Sequence, residues 1–111
     1  MPTFKQLSDY YANYIRTTLT DSILKMINCT TRSEERRTKL VAALIVAFKE
    51  INKNLNQYCL SDSEKDIILS ETAVRLGLQR INLFLMLEEA SKNDFGGLMQ
   101  YWDLFFEEFR L

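Results

Sequence analysis

Apolar residues recur at spacings of three and four along most of this chain, which is the spacing expected for one face of an α-helix. Polar breaks interrupt the pattern and divide the chain into four helical segments. Each of the first three segments begins with Ser or Thr followed three residues later by Glu or Gln, the capping-box signal of a helix start. These signals are Thr3 with Gln6, Thr31 with Glu34, and Ser61 with Glu64. Because the breaks are short, the segments are predicted to pack mostly antiparallel in one all-α bundle.

Two positions bear on the number of helices. Around Thr18 the first segment has a cluster of β-branched residues, and Thr20 could cap a new helix that begins at Asp21. The fold prediction is therefore an all-α bundle of four helical segments, or five if the first helix breaks near Thr18. In the third segment, Gly77 fits either close helix packing or a turn.

The residues around Gly77 resemble a helix-turn-helix pattern, with Ala73 four positions earlier and apolar positions afterwards. In that motif the second helix presents polar side chains to the major groove of DNA. Here it would present Phe84 and Leu85 within an apolar run. We therefore predict one continuous third helix in which Gly77 allows close packing.

The two middle segments carry aliphatic runs. Residues 40–48, LVAALIVAF, are apolar on every side, which predicts a central helix covered on several sides. The main apolar face of the third segment is predicted to hold Ile67, Val74, Leu78, Ile81 and Leu85.

Composition agrees with a single helical domain over residues 1–111. The chain has only three glycines and one proline, whereas turn-rich β-folds use many more of both. No secretory signal is recognisable, and the longest apolar run is half of what a bilayer requires, so we expect a cytoplasmic protein without membrane contact. The spacing of Cys29 and Cys59 along helices predicts two free thiols.

The chain contains no histidine. This removes Ser-His and Cys-His nucleophile pairs, the usual acid or base at neutral pH, and most zinc sites. We therefore expect no enzyme activity, no catalytic residues, no metal site and no cofactor.

The aromatic residues are concentrated at the two ends of the chain, which hold ten of the thirteen. The last segment has more aromatic area than one helix face can bury, and Tyr and Trp are enriched at the centres of protein interfaces. Packing of the aromatics inside the bundle is an equally good interpretation. The candidate partner-binding residues are Tyr101, Trp102, Phe105, Phe106 and Phe109.

A basic cluster surrounds the start of the second segment. Arg32, Arg36, Arg37 and Lys39 could contact phosphates, but Glu34 and Glu35 lie among them and no aromatic residue is present to stack on a base. A solvated, locally paired face is the favoured interpretation, so a nucleic-acid-associated subunit is kept only as an alternative.

The most favoured function is a non-catalytic protein-binding module of the inhibitor, immunity, adaptor or chaperone type. Residues 1–60 carry nine Lys/Arg against five Asp/Glu, and residues 61–111 carry five against ten. The acidic second half suits a basic partner protein. A homo-oligomer built through the aromatic C-terminal helix is the other alternative.

Overall fold

The computed structural model describes residues 1–27, 33–93 and 96–100, and it leaves out the side chains of residues 22–37. Four helices cover most of this part of the chain: α1 (Phe4–Ile27), α2 (Ser33–Asn56), α3 (Asp62–Leu76) and α4 (Arg80–Ser91). Residues 96–100 are also helical. The all-α bundle predicted from the sequence is confirmed.

Each of the four helices packs mainly on two others. Helix α1 lies against α2 and α3, and α4 lies against the same two helices from the opposite side. The core between them is mostly aliphatic, and its largest fully buried side chains include Tyr11, Phe48, Leu76 and Met86. A buried hydroxyl also joins two helices, because Ser8 Oγ on α1 lies 3.1 Å from the carbonyl oxygen of Ile68 on α3.

Helix α1 runs through Thr18 without a break. The Thr18 hydroxyl donates to the carbonyl oxygen of Tyr14, one turn earlier, at 2.8 Å, so the β-branched side chain is accommodated within the helix. Buried Ile15 and Leu19 flank this position and hold both halves of α1 on the core. The break considered near Thr18 is therefore absent.

The chain instead turns at Gly77, so the prediction of a continuous third helix is wrong. Gly77 has a left-handed backbone, with φ 74° and ψ 19°. The N–H of Leu78 donates to the carbonyl oxygen of Ala73 at 2.9 Å, and that of Gly77 donates to Val74 at 3.1 Å. This is the Schellman arrangement that ends a helix, and only glycine adopts this conformation without a steric cost. Buried Leu78 fixes the turn on the core.

The main apolar face predicted for the third segment is largely wrong. Ile67, Val74 and Ile81 were predicted on it but are 50%, 66% and 57% exposed. Ile67 and Val74 lie on the side of α3 opposite to its buried residues, and Ile81 lies beyond the turn, on α4. The residues that α3 and α4 do bury are Ile68, Leu69, Thr72, Ala73, Leu76, Asn82, Leu83, Met86, Leu87 and Ala90.

Helix α2 is not covered on every side, as its apolar run 40–48 had suggested. Its Leu44 and Phe48 are fully buried, but Val46 is 60% exposed. Contacts with α1 and α4 leave one strip of α2 open to solvent. Within the described ranges, no helix combines the length and apolar character needed to cross a membrane.

The capping boxes explain where two of the helices begin. The Thr3 N–H donates to Gln6 Oε1 at 2.9 Å, and the Gln6 N–H donates to Thr3 Oγ1 at 3.1 Å. Ser61 and Glu64 form the same reciprocal pair before α3, at 3.0 and 3.2 Å. Both predicted boxes are confirmed, whereas the box predicted at Thr31 lies outside the described residues.

Candidate functional site

Tyrosines gather along the seam between α1 and α2. The two helices are antiparallel neighbours, and little more than one turn of α1 carries Tyr10, Tyr11 and Tyr14, opposite the second half of α2. Tyr58 follows the end of α2 and reaches the same seam. Four of the five tyrosines of the chain therefore lie at one junction.

Tyr11 anchors this cluster from inside. Its ring is fully buried, and its hydroxyl donates to Asn54 Oδ1 on α2 at 2.7 Å. Burial raises the pKa of Tyr11 from 10.0 to about 12, and the nearby phenols of Tyr58 and Tyr10 add to the shift. The phenol therefore stays neutral at physiological pH and fixes the register of α1 against α2.

Tyr10 and Tyr14 form the outer wall of the cluster. The ring of Tyr10 lies 5.6 Å from that of Tyr11 in an edge-to-face arrangement, and 6.2 Å from that of Tyr14 at a tilt of 37°. Such distances are those at which aromatic pairs attract each other. Tyr10 is nevertheless 52% exposed, so much of this aromatic surface faces solvent.

Three adjoining depressions follow the seam, and together we call them the tyrosine groove. The largest, about 580 Å³, is lined by Pro2, Gln6, Leu7, Tyr10, Asn54 and Tyr58. A pocket of about 60 Å³ is lined by Tyr10, Tyr14, Glu50, Ile51 and Asn54. The third, about 190 Å³, is lined by Glu50, Lys53, Asn54 and Gln57. Because Asn54 borders all three depressions, they form one continuous surface.

Several polar groups of the tyrosine groove have no partner in the described part of the chain. The hydroxyls of Tyr10, Tyr14 and Tyr58 form no hydrogen bond there, and Glu50 forms no ion pair. Glu50 is exposed and lies one helical turn after exposed Val46. The groove therefore offers aromatic faces, hydroxyl donors and a carboxylate to a molecule outside the bundle.

A second depression lies on the other side of α2, between α2 and α4, and we call it the α2–α4 groove. It has a volume of about 420 Å³ and is lined by Asn52, Asn56, Leu69, Phe84, Leu87, Glu88 and Ser91. Its polar side chains are already engaged within the protein. Glu88 pairs with Lys92 at 3.1 Å, and Lys65 donates to Asn56 Oδ1 at 3.1 Å.

The remaining polar contacts of the α2–α4 groove follow the same pattern. Asn52 donates to the carbonyl oxygen of Leu87 at 3.4 Å, and Ser91 donates to that of Glu88 at 2.7 Å. Each polar side chain that lines the α2–α4 groove thus forms at least one hydrogen bond or ion pair within the protein.

The tyrosine groove presents hydrogen-bonding and stacking groups. Among residues 1–27, 33–93 and 96–100, no three Asp, Glu or Cys side chains gather in a way that could hold a metal ion. The groove holds phenols, amides and one or two charged side chains, which suit hydrogen bonding and stacking on a partner.

The candidate residues predicted at the C-terminus lie outside the described residues. These are Tyr101, Trp102, Phe105, Phe106 and Phe109, and their role stays a prediction. Arg32 of the basic cluster also lies outside, and the side chains of Arg36 and Arg37 on α2 are not described. Lys39 is exposed on the same helix. Cys59 is an exposed free thiol, as predicted, whereas Cys29 falls outside.

Sequence reasoning noticed the aromatics near the N-terminus but did not identify the tyrosine groove. The residues of the groove that sequence reasoning missed are Glu50, Asn54 and Tyr58. They lie about 40 residues away in sequence from Tyr10 and Tyr14. One usable signal was present, because Val46, Glu50, Lys53 and Gln57 recur at helical spacing and leave a mixed apolar and polar strip on α2.

Comparisons of the chain with protein-family models, curated proteins and solved structures find no match. The class that the fold defines is an all-α helical bundle. The feature of the described chain from which a function can be inferred is the tyrosine groove.

Proposed function

We propose that this chain is a non-catalytic protein-binding module of the cytoplasm and that its partner docks in the tyrosine groove. The observation that carries the proposal is the set of unpartnered groups along one continuous depression, with Tyr10, Tyr14 and Tyr58 as its aromatic surface. Tyrosine is among the residues that dominate binding energy at protein interfaces, since it contributes a large apolar ring and a polar tip.

The rigidity of the groove supports the same function. Tyr11 and Asn54 tie α1 to α2 at the groove through a part-buried hydrogen bond. A surface whose side chains are held in place before binding loses less conformational entropy when the partner arrives. The exposed thiol of Cys59 suits a reducing compartment, in agreement with the proposed location.

Matched baits test the proposal. Wild type, Tyr10→Ala and Ile81→Ala would each be used for affinity purification from an extract of the native host, followed by quantitative mass spectrometry. Tyr10 and Ile81 are 52% and 57% exposed, so both substitutions remove a similarly exposed apolar side chain. We expect one stoichiometric protein to be retained by wild type and Ile81→Ala and to be reduced about tenfold or more with Tyr10→Ala.

Two results would contradict the proposal. One is a stoichiometric partner retained equally by all three baits, which would place binding elsewhere on the chain. The other is the absence of any stoichiometric protein from the wild-type bait. Circular dichroism of each bait shows that a loss of binding is not a loss of fold.

A further inference from the structure

We propose that the pocket between Tyr10, Tyr14 and Glu50 receives an arginine side chain of the partner. This inference rests on the proposed function, because it specifies the chemistry of a partner at the same groove. The pocket combines two aromatic rings on α1 with a carboxylate on α2, and this combination is complementary to a flat cation.

The size of the pocket limits what can enter. Its volume is about 60 Å³. One water molecule needs about 10–15 Å³ of such a cavity, so the pocket holds a group of roughly four to six non-hydrogen atoms. A guanidinium group has four such atoms and fits within this volume.

The walls of the pocket favour arginine over lysine. A guanidinium stacks flat on aromatic rings and donates two parallel hydrogen bonds to a carboxylate, which a compact ammonium group does not do. Tyr10 and Tyr14 provide the rings, and Glu50 provides a carboxylate that forms no ion pair with any described residue. Lys53 lies near Glu50, but it is exposed and borders the third depression. It does not line the pocket between Tyr10, Tyr14 and Glu50, so that pocket stays open.

The adjoining depression of about 580 Å³ indicates how the rest of the partner lies. It shares Tyr10 and Asn54 with the pocket and continues toward Gln6 and Pro2. From Gln6 to Tyr14 the helix rises about 12 Å, at 1.5 Å per residue. An extended chain covers that distance with about four residues, at 3.3 Å each. The partner segment is therefore a short extended peptide with arginine near one end.

Peptide titration followed by two-dimensional NMR tests this assignment. The probe is acetyl-Ala-Arg-Ala-Ala-Ala-amide, and two matched control peptides carry citrulline or lysine in place of arginine. Citrulline keeps the shape of arginine but has no charge. We expect the arginine peptide to shift the signals of Tyr10, Tyr14 and Glu50 and to bind about tenfold or more tightly than the citrulline peptide. Glu50→Gln should weaken binding of the arginine peptide to a similar degree, and Glu88→Gln should leave it unchanged.

The outcomes separate this inference from the proposed function. Equal shifts by the arginine and citrulline peptides would overturn the arginine pocket and leave the tyrosine groove as a peptide site. A lysine peptide that binds as well as the arginine peptide would overturn the guanidinium assignment. If no peptide shifts the signals of the groove, the inference fails, and the Tyr10→Ala bait experiment decides separately whether the proposed function survives.

Discussion

The two grooves on either side of α2 differ in the state of their polar groups. In the α2–α4 groove, Glu88, Asn52 and Asn56 each contact another residue of the bundle. In the tyrosine groove, Glu50 forms no ion pair and the Tyr10 hydroxyl forms no hydrogen bond among the described residues. This difference in free hydrogen-bonding groups, and not volume, is why the proposed function is assigned to the tyrosine groove.

The physical reason for this difference lies in the helix pairs. In the α2–α4 groove, Glu88 and Lys92 are one turn apart on α4, so they pair within one helix. In the tyrosine groove, the Tyr11 hydroxyl donates to Asn54 Oδ1, whereas the outer phenols and Glu50 form no hydrogen bond or ion pair within the described residues.

The largest expected effect comes from the floor of the α2–α4 groove. Leu87 is buried there, and Leu87→Ala should lower the free energy of unfolding by about 2–5 kcal/mol through lost burial and a cavity. Urea unfolding monitored by circular dichroism measures the change. Half-buried Leu85 on the same helix is the matched control, and Leu85→Ala should cost less. Equal losses for the two variants would show that the α2–α4 groove is not part of the core.

The second prediction concerns alkaline pH and the floor of the tyrosine groove. The pKa of Tyr11 is about 12 in the folded protein and 10.0 ordinarily, so folding is favoured while the phenol keeps its proton. Stability should be full below pH 10 and should fall as pH rises from 10 to 12, by roughly 1.4 kcal/mol per unit at most. Urea titrations across this range measure the slope.

Tyr11→Phe should remove that part of the pH dependence. At pH 7 the variant should lose about 0.5–1.5 kcal/mol, because Asn54 Oδ1 no longer receives its hydrogen bond. Tyr14→Phe serves as the control and should keep the alkaline slope of wild type. An unchanged slope in Tyr11→Phe would mean that the Tyr11 phenol is not responsible.

The third prediction concerns the turn that directs α4. Gly77→Ala places a Cβ atom on a left-handed backbone, which should cost about 1–2 kcal/mol. Gly96 lies in the helical residues 96–100 and is exposed, so Gly96→Ala should be neutral or stabilising by up to about 1 kcal/mol. Thermal unfolding of both variants tests the contrast, and a Gly77→Ala protein as stable as wild type would contradict the assigned conformation.

The smallest expected effects on stability distinguish Glu88 of the α2–α4 groove from Glu50 of the tyrosine groove. Glu88→Gln removes an exposed pair with Lys92 and should cost about 0.3–0.5 kcal/mol. Glu50→Gln should leave the free energy of unfolding unchanged, since Glu50 forms no ion pair in the described chain. Replicate urea titrations at low salt resolve the difference. A larger loss for Glu50→Gln would indicate a structural role and would weaken the comparison of the grooves.

Local signals predicted the starts of α1 and α3 correctly, because a capping box involves residues only three positions apart. Whether the helix ends at Gly77 depended on the burial of Leu78, which is a property of the whole bundle. The tyrosine groove was beyond sequence reasoning for the same reason. Tyr10 and Tyr11 are adjacent in sequence, but Tyr10 is exposed and Tyr11 is buried. Only the register of α1 against α2 decides which of the two is buried.

The contact between α1 and α3 has a consequence for biosynthesis. Ser8 reaches Ile68, and Asp9 pairs with Arg75 at 2.5 Å, so these contacts join residues about 60 positions apart. At about 5–20 residues per second, a ribosome needs roughly 3–12 s to add 60 residues. During that interval the α1–α2 hairpin can form without α3. The nascent chain therefore exposes the side of α1 that carries Ser8 and Asp9 before its final neighbour emerges.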